Sequence, residues 1–241
     1  ALPILAEMRA REEGVDPELM QRMAGGKTGV VGILKRSEGP VAALRVDMDA
    51  LEVTESAEPD HRPAQQGFAS GHEGICHACG HDVHTAVGLG VARILAEDQS
   101  WQGTVKLIFQ PGEEGMRGAR AMMERGIVDD VHDFFSLHVG IRALETGEIV
   151  TGCDGFLATS KLDAVFHGAT AHAGICPQEG KSALLAAAAS CIGMQGIPRH
   201  GDGSSRINIG GISAGGNSRN VVPDYGIVKF ETRGGSTEIN R

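Results

Sequence analysis

The chain has 241 residues, 41% hydrophobic and 22% charged, with a formal net charge of −9 at pH 7. A chain of that size and balance buries a real core in one large or two smaller domains, and its acidity without a Lys/Arg run argues against nucleic acid as a partner. No apolar run reaches the roughly 18 residues of a membrane span, and the opening ALPILAEMRAREEG lacks the basic-then-apolar pattern of a secretory leader.

Five cysteines at irregular spacing fit reduced thiols and a cytoplasmic location better than a disulfide framework. The 35 glycines point to tight turns and close backbone approaches. The first residue is Ala, so the chain reads as processed or as a portion of a longer one.

In chain order, VAALRV (41–46) reads as a buried strand. HTAVGLGVARILAED (84–98) follows as a helix with Val87, Val91, Ile94 and Leu95 at helical spacing. GTVKLIF (103–109) is a second strand, MRGARAMMERG (116–126) a helix closed by Gly126, and DFFSLHV (133–139) a further strand. Strands separated by helices predict a mainly parallel α/β sheet. Beyond about residue 155 the texture changes. KLDAVFHG (161–168) alternates, SALLAAAASCIGMQ (182–195) is an apolar helix, and SRINIGGISAG and YGIVKFETRG alternate again around the turn residues GGNSRNVVPD. That order predicts a second, α+β unit on an antiparallel sheet. The expected division is therefore a domain over 1–155 and another over 156–241.

Ligands of open α/β sheets bind outside the carboxyl ends of the strands, and the polar residues of this chain concentrate there. Asp47 and Asp49 follow the first strand, Gln110, Glu113 and Glu114 the second, and His138 stands near the end of the third. CHACGHDVH (76–84) feeds the long helix. Cys79 and His81 suit a borderline-soft divalent cation. Two adjacent carboxylates repel and need a cation to stay ionised together, so one of Glu113 and Glu114 can ligate while the other takes a proton from water. Asp49 and Asp82 are candidates to orient imidazoles from behind, against a plain turn or cap role. His84 reads as a first-turn residue, and His61, His77, His132 and His200 as ordinary surface or packing residues.

Rival readings of CHACGHDVH fare worse. Covalent haem needs His where Gly80 stands, a structural zinc site needs two more nearby ligands, and a redox CxxC leaves the carboxylates without a role. A dinuclear hydrolase uses every group.

Several stretches together are specific: RVDMDAL (45–51), HRPAQQGFAS (61–70), HACGHDVHTA (77–86), KLIFQPGEEGMRGARAM (106–122), LHVG (137–140), FHGATAHAG (166–174), SRNVVPD (218–224) and ETRGGSTEIN (231–240). With them, the chain from about residue 20 to its end resembles the M20 metallopeptidase family, in its branch of aminoacylase-like amidohydrolases. The resemblance implies a zinc-exopeptidase-like catalytic domain with an inserted α+β lid that also dimerises. It implies two divalent metal ions, zinc or manganese, with Cys79, His81, Glu114 and His138 as ligands and Glu113 as the general base. His172 matches the lid histidine that polarises the scissile carbonyl, commonly in the partner's site. Asn220 and Arg233 match lid positions that bind the substrate carboxylate. The implied substrate is a small acyl-glutamate, p-aminobenzoyl-glutamate foremost, cleaved by a homodimer or by a heterodimer with a related subunit. The chain departs from the family in QPGEE for the commoner QPAEE, and in Cys76 where Met is usual. The family's N-terminal segment and the C-terminal one with its last histidine ligand have no counterpart in these residues, and the lid stops after its third strand.

Overall fold

A computed structural model describes residue 14 and residues 16–140 and 142–241. Residues 1–13, most of the opening stretch read above for a leader, lie outside the described residues. The chain divides into two compact units, Ala1–Val150 and Thr151–Arg241.

The first unit opens with helix α1 (Pro17–Met23), whose start is capped by the Asp16 carboxylate accepting the Glu18 N–H at 2.7 Å. Strands β1 (Val30–Lys35) and β2 (Val41–Asp47) follow, then a single turn, α2 (Arg62–Gln65). The long helix α3 (His81–Glu97) leads to β3 (Thr104–Gln110), α4 (Gly118–Met123) and β4 (Asp133–Ser136). The sheet order is β1-β3-β2-β4. β2 runs parallel to β3 and β4, while β1 pairs antiparallel with β3 at one edge. The sequence reading assigns no element to β1. Gly32 interrupts its VVGILK run and Ile33 is 63% exposed, so neither alternation nor a buried apolar stretch marks it.

Ala43 and Val46 of β2 with Leu107 and Ile108 of β3 form the core of this sheet. Each large aliphatic side chain buried there contributes about 1.5–3 kcal/mol. Helix α3 comes down on the two strands at Gly88, where an added Cβ would lie 3.0 Å from both Phe109 and Val46. A glycine there sets how closely helix and sheet approach. Two elements are shorter than their sequence patterns. The predicted helix over 116–126 forms only from Gly118, because Met116 is held at φ 55°, in the left-handed region. The strand predicted to 139 ends at Ser136, and His138 leaves the sheet.

The second unit contains β5 (Ala158–His167), a 3₁₀ turn at Pro177–Glu179, helix α5 (Ala183–Gln195), β6 (Ser205–Ala214), β7 (Tyr225–Gly234) and a closing turn, α6 (Thr237–Asn240). Its sheet is antiparallel in the order β5-β7-β6. Ser182 caps α5 by accepting the Leu185 N–H at 3.2 Å. Ala183 and Ala187 of the helix and Val228 of β7 are fully buried. Their small size lets the helix come so close that a Cβ at Gly226 would stand 3.4 Å from the Ala187 methyl. The chain is thus an α/β protein, a mainly parallel sheet in one unit and an α+β antiparallel sheet in the other. Among the described residues no helix is long and apolar enough to cross a membrane.

Candidate metal centre

Because β2, β3 and β4 are parallel, their carboxyl ends lie along one edge of the first sheet, with Asp47 opposite Gln110 in register. The start of α3 reaches the same edge. Gly80 makes this possible. It sits at φ 84° as the helix N-cap, and an added Cβ would meet the Val139 side chain at 2.6 Å. Only glycine lets Cys79 and His81 turn in beside the segment that carries His138.

His81 is wholly buried. Its Nδ1 lies 2.9 Å from the main-chain carbonyl oxygen of Asp49. A carbonyl only accepts, so Nδ1 carries the proton and Nε2 presents a bare lone pair. That Nε2 has no hydrogen-bond partner, although it is buried. An orphaned lone pair of this kind costs about 1–3 kcal/mol unless something binds it. What surrounds it is suited to a cation. Cys79 Sγ, a nitrogen of His81 and a nitrogen of His138 lie within 4.8 Å of one another, and so do ligand atoms of His81, Glu113 and Glu114. His138 Nδ1 donates to the Val139 carbonyl at 2.7 Å, which leaves its Nε2 facing Cys79 Sγ at 3.5 Å. Burial pushes the Cys79 thiol up to about 11, helped by its hydrogen bond to Glu114 and by the charges of Glu114, Glu113 and Asp47. A thiol kept protonated by burial and carboxylates would give up its proton on binding a cation, and the donor set of sulfur, imidazole and carboxylate fits zinc or manganese.

Behind these groups stands a second layer. The Asp49 carboxylate accepts the backbone N–H of Glu113 at 3.0 Å and of Glu114 at 3.1 Å, one oxygen to each. The same residue therefore orients His81 with its carbonyl and the acidic pair with its side chain. Asp47 is 1% exposed and is bonded to Arg45 at 2.7 Å. Arg45 in turn donates to the Gln110 side chain at 2.8 Å. Burial alone would raise the Asp47 carboxyl, but the His84 hydrogen bond, Arg45 and the imidazoles outweigh it and hold the group below its ordinary range.

Two sequence readings need correction. His84 stands in the first turn of its helix but is more than a first-turn residue. It is fully buried, its Nδ1 donates to the Asp47 carboxylate, and its Nε2 accepts the Val139 N–H at 2.9 Å. With both nitrogens engaged it braces β2 against the His138 segment. Its spacing from His81 and Gly88 along α3, at i+3 and i+7, was the available signal, since all three lie on the buried face. Asp82, expected to orient an imidazole, does not. It is exposed and lines a separate cavity of about 540 Å³ with Phe68, Ile75 and His61. Main-chain carbonyls hold the two rings instead, that of Asp49 on His81 and that of Val139 on His138.

The remaining expected residues lie in the second unit. His172 and Val221 form an isolated bridge, and the Ala173 N–H donates to the Asn220 carbonyl at 2.9 Å, so the segments of His172 and Asn220 run side by side. The Gly174 N–H donates to His172 Nδ1 at 3.1 Å. The neutral ring then keeps its proton on Nε2, as a donor to an oxygen. Arg233, on β7, forks onto Glu231 at 2.8 and 3.3 Å.

Comparison with known proteins shows the family. The family described as Peptidase family M20/M25/M40 matches residues 43–233. The chain is 49% identical to one of the subunits of p-aminobenzoyl-glutamate hydrolase from Escherichia coli (strain K12), over 97% of this chain and 53% of that protein. It is 48% identical to the indole-3-acetyl-aspartic acid hydrolase of Enterobacter agglomerans, over 98% of this chain and 54% of that protein. Among solved structures it resembles the aminobenzoyl-glutamate utilization protein of Klebsiella pneumoniae, with a TM-score of 0.77 and 42% identity, covering 99% of this chain and 54% of the other. The chain spans about half the length of the curated relatives it matches.

Proposed function

The chain belongs to the peptidase family M20/M25/M40, and from that premise we propose that it is the metal-binding portion of a hydrolase cleaving the amide bond between an aromatic acyl group and an acidic amino acid. The observation that carries the reading is the buried, unpartnered Nε2 of His81 among Cys79, His138, Glu113 and Glu114. In this reading Cys79, His81, Glu114 and His138 hold two divalent ions, zinc or manganese. Bound there, the ions supply Lewis-acid polarisation of the amide carbonyl and acidify a water. Glu113, fixed through its own amide on Asp49, takes the proton of the attacking water and returns it to the leaving amine. His172 donates from Nε2 to the developing oxyanion. Asn220 and Arg233 hold the carboxylate of the amino acid, a task that suits a guanidinium in an otherwise acidic chain.

p-Aminobenzoyl-glutamate is the foremost substrate in this reading. Near-equal identity to an indole-3-acetyl-aspartate hydrolase favours a second, and the two share an aromatic acyl group and a dicarboxylic amino acid. The enzyme works in the cytoplasm as a homodimer, or with a related subunit, joined through the second unit. A non-catalytic metal-binding subunit is the rival from outside the enzyme class.

The test is Glu113→Gln in the whole protein, with metal content and turnover measured on p-aminobenzoyl-glutamate, indole-3-acetyl-aspartate and p-aminobenzoyl-alanine. About two ions per chain should remain while turnover falls 10²–10⁴-fold. Unchanged turnover removes Glu113 from the chemistry. Absence of bound metal in the parent protein removes the metal reading, and equal turnover of the alanine conjugate removes the preference for acidic amino acids.

A further inference from the structure

A cavity of about 620 Å³ lies between the segment at 25–31, the Pro111–Gly118 elbow and α4. Its charge is unlike that of the rest of the molecule. Lys27, Arg117 and Arg125 line it, and no carboxylate does. The chain carries a net charge of −9. Some basic side chains elsewhere are matched to carboxylates, Lys35 to Glu38, Arg45 to Asp47, Arg93 to Glu97, Lys106 to Asp130 and Arg120 to Glu124. Lys27, Arg117 and Arg125 take part in no ion pair among the described residues. Like charges gathered in a concavity with low-dielectric walls focus a positive potential into it, which an anion relieves.

The concavity belongs to the packed fold. Gly29 faces Met122 and Pro111 so closely that a Cβ would lie 3.2 Å from the Met122 methyl and 3.3 Å from Pro111 Cδ. At Gly118 a Cβ would fall 1.6 Å from the Pro111 carbonyl oxygen. Glycines at both contacts seat the elbow against its neighbours and fix the walls. Between the cations the lining is apolar, with Val31, Met122 and Ile127. The volume lies within the roughly 300–1,000 Å³ range of small-molecule sites.

We infer that this cavity binds a small organic anion carrying two or three negative charges on a compact apolar body, either a polycarboxylate or a phosphorylated compound. None of its lining residues belongs to the metal cluster, and the inference stands whether or not the hydrolase reading does.

The experiment is calorimetric titration of the whole protein, stripped of metal, at low ionic strength with citrate and, separately, with pyrophosphate. At least one should bind with a dissociation constant below about 1 mM, and affinity should fall as salt is raised to a Debye length near 8 Å. Lys27→Ala and Arg125→Ala, both at exposed positions, should each weaken binding about tenfold, while Lys27→Arg stays within about threefold of the parent. Preference for pyrophosphate assigns a phosphorylated ligand and preference for citrate a polycarboxylate. Thermal melting of each variant checks that it folds. No heat from either anion up to about 10 mM, tenfold beyond the expected dissociation constant, overturns the inference. So does binding that is unchanged in the Lys27→Ala/Arg125→Ala double variant.

Discussion

The two units bury different things. In the first, the wholly or nearly buried side chains include Asp47, His81, His84, Lys106 and Gln110. In the second, among the described residues, they are Ala183, Ala187 and Val228, with no polar side chain among them. One unit devotes its interior partly to polar groups held in fixed positions. The other is held by apolar contact between a small-residue helix and a sheet. The contrast teaches where preorganised chemistry sits, because a buried polar group is costly unless every partner is present.

Breaking the polar layer should produce the largest effect. Asp47→Ala leaves Arg45 without its carboxylate and His84 Nδ1 without an acceptor in the interior, and removing one partner of such a buried pair costs about 3–5 kcal/mol. Urea denaturation measures it, and a loss below about 1 kcal/mol, the worth of an exposed pair, would erase the contrast. Val228→Ala in the second unit should cost about 2 kcal/mol through lost burial and the cavity left behind. It should leave the metal content of the first unit unaltered, as metal analysis would report. A change in bound metal would mean that the two interiors are not independent in what they hold.

The smallest effect sharpens the picture at the surface of the first unit. The Glu55 carboxyl is held below its ordinary range by the hydrogen bond from His61 and by the Ser70 N–H, against the opposing effect of burial. A depressed folded value means stabilisation that is complete above the unfolded-state value, near 4.3, and is lost as pH falls through the lower folded one. Denaturation midpoints of the parent and of Glu55→Gln should therefore differ at pH 6 and converge toward pH 3. A gap that widened on acidification would reverse the assigned direction.

Much of the site was legible because strand ends are legible. Apolar runs place the ends of β2 and β3, and the residues past them, Asp49, Glu113 and Glu114, fall where a parallel sheet must put them. Cys79, His81 and His138 join them within a few ångströms. What the sequence hid were contacts between distant parts of the chain. The part His84 plays depends on a carboxylate 37 residues away and on a backbone amide 55 residues away, and neither is visible in local pattern. Asp82 misled for a simpler reason. Adjacent residues on a helix point about 100° apart, so the neighbour of a buried histidine is turned away from what that histidine faces. β1 was missed because an edge strand with half its side chains in water has little apolar signature.

Asp49 has one more consequence. Through its carbonyl and its carboxylate it ties His81, Glu113 and Glu114 into a single rigid piece. Cys79 and His138 are outside that tie, positioned by Gly80 and Val139 at the rim. The cluster is therefore modular, a constant half and a tunable half. A lineage that drifted in its choice of ion would be expected to change the rim first, since any substitution at Asp49 removes the carboxylate that holds Glu113 and Glu114 in one step.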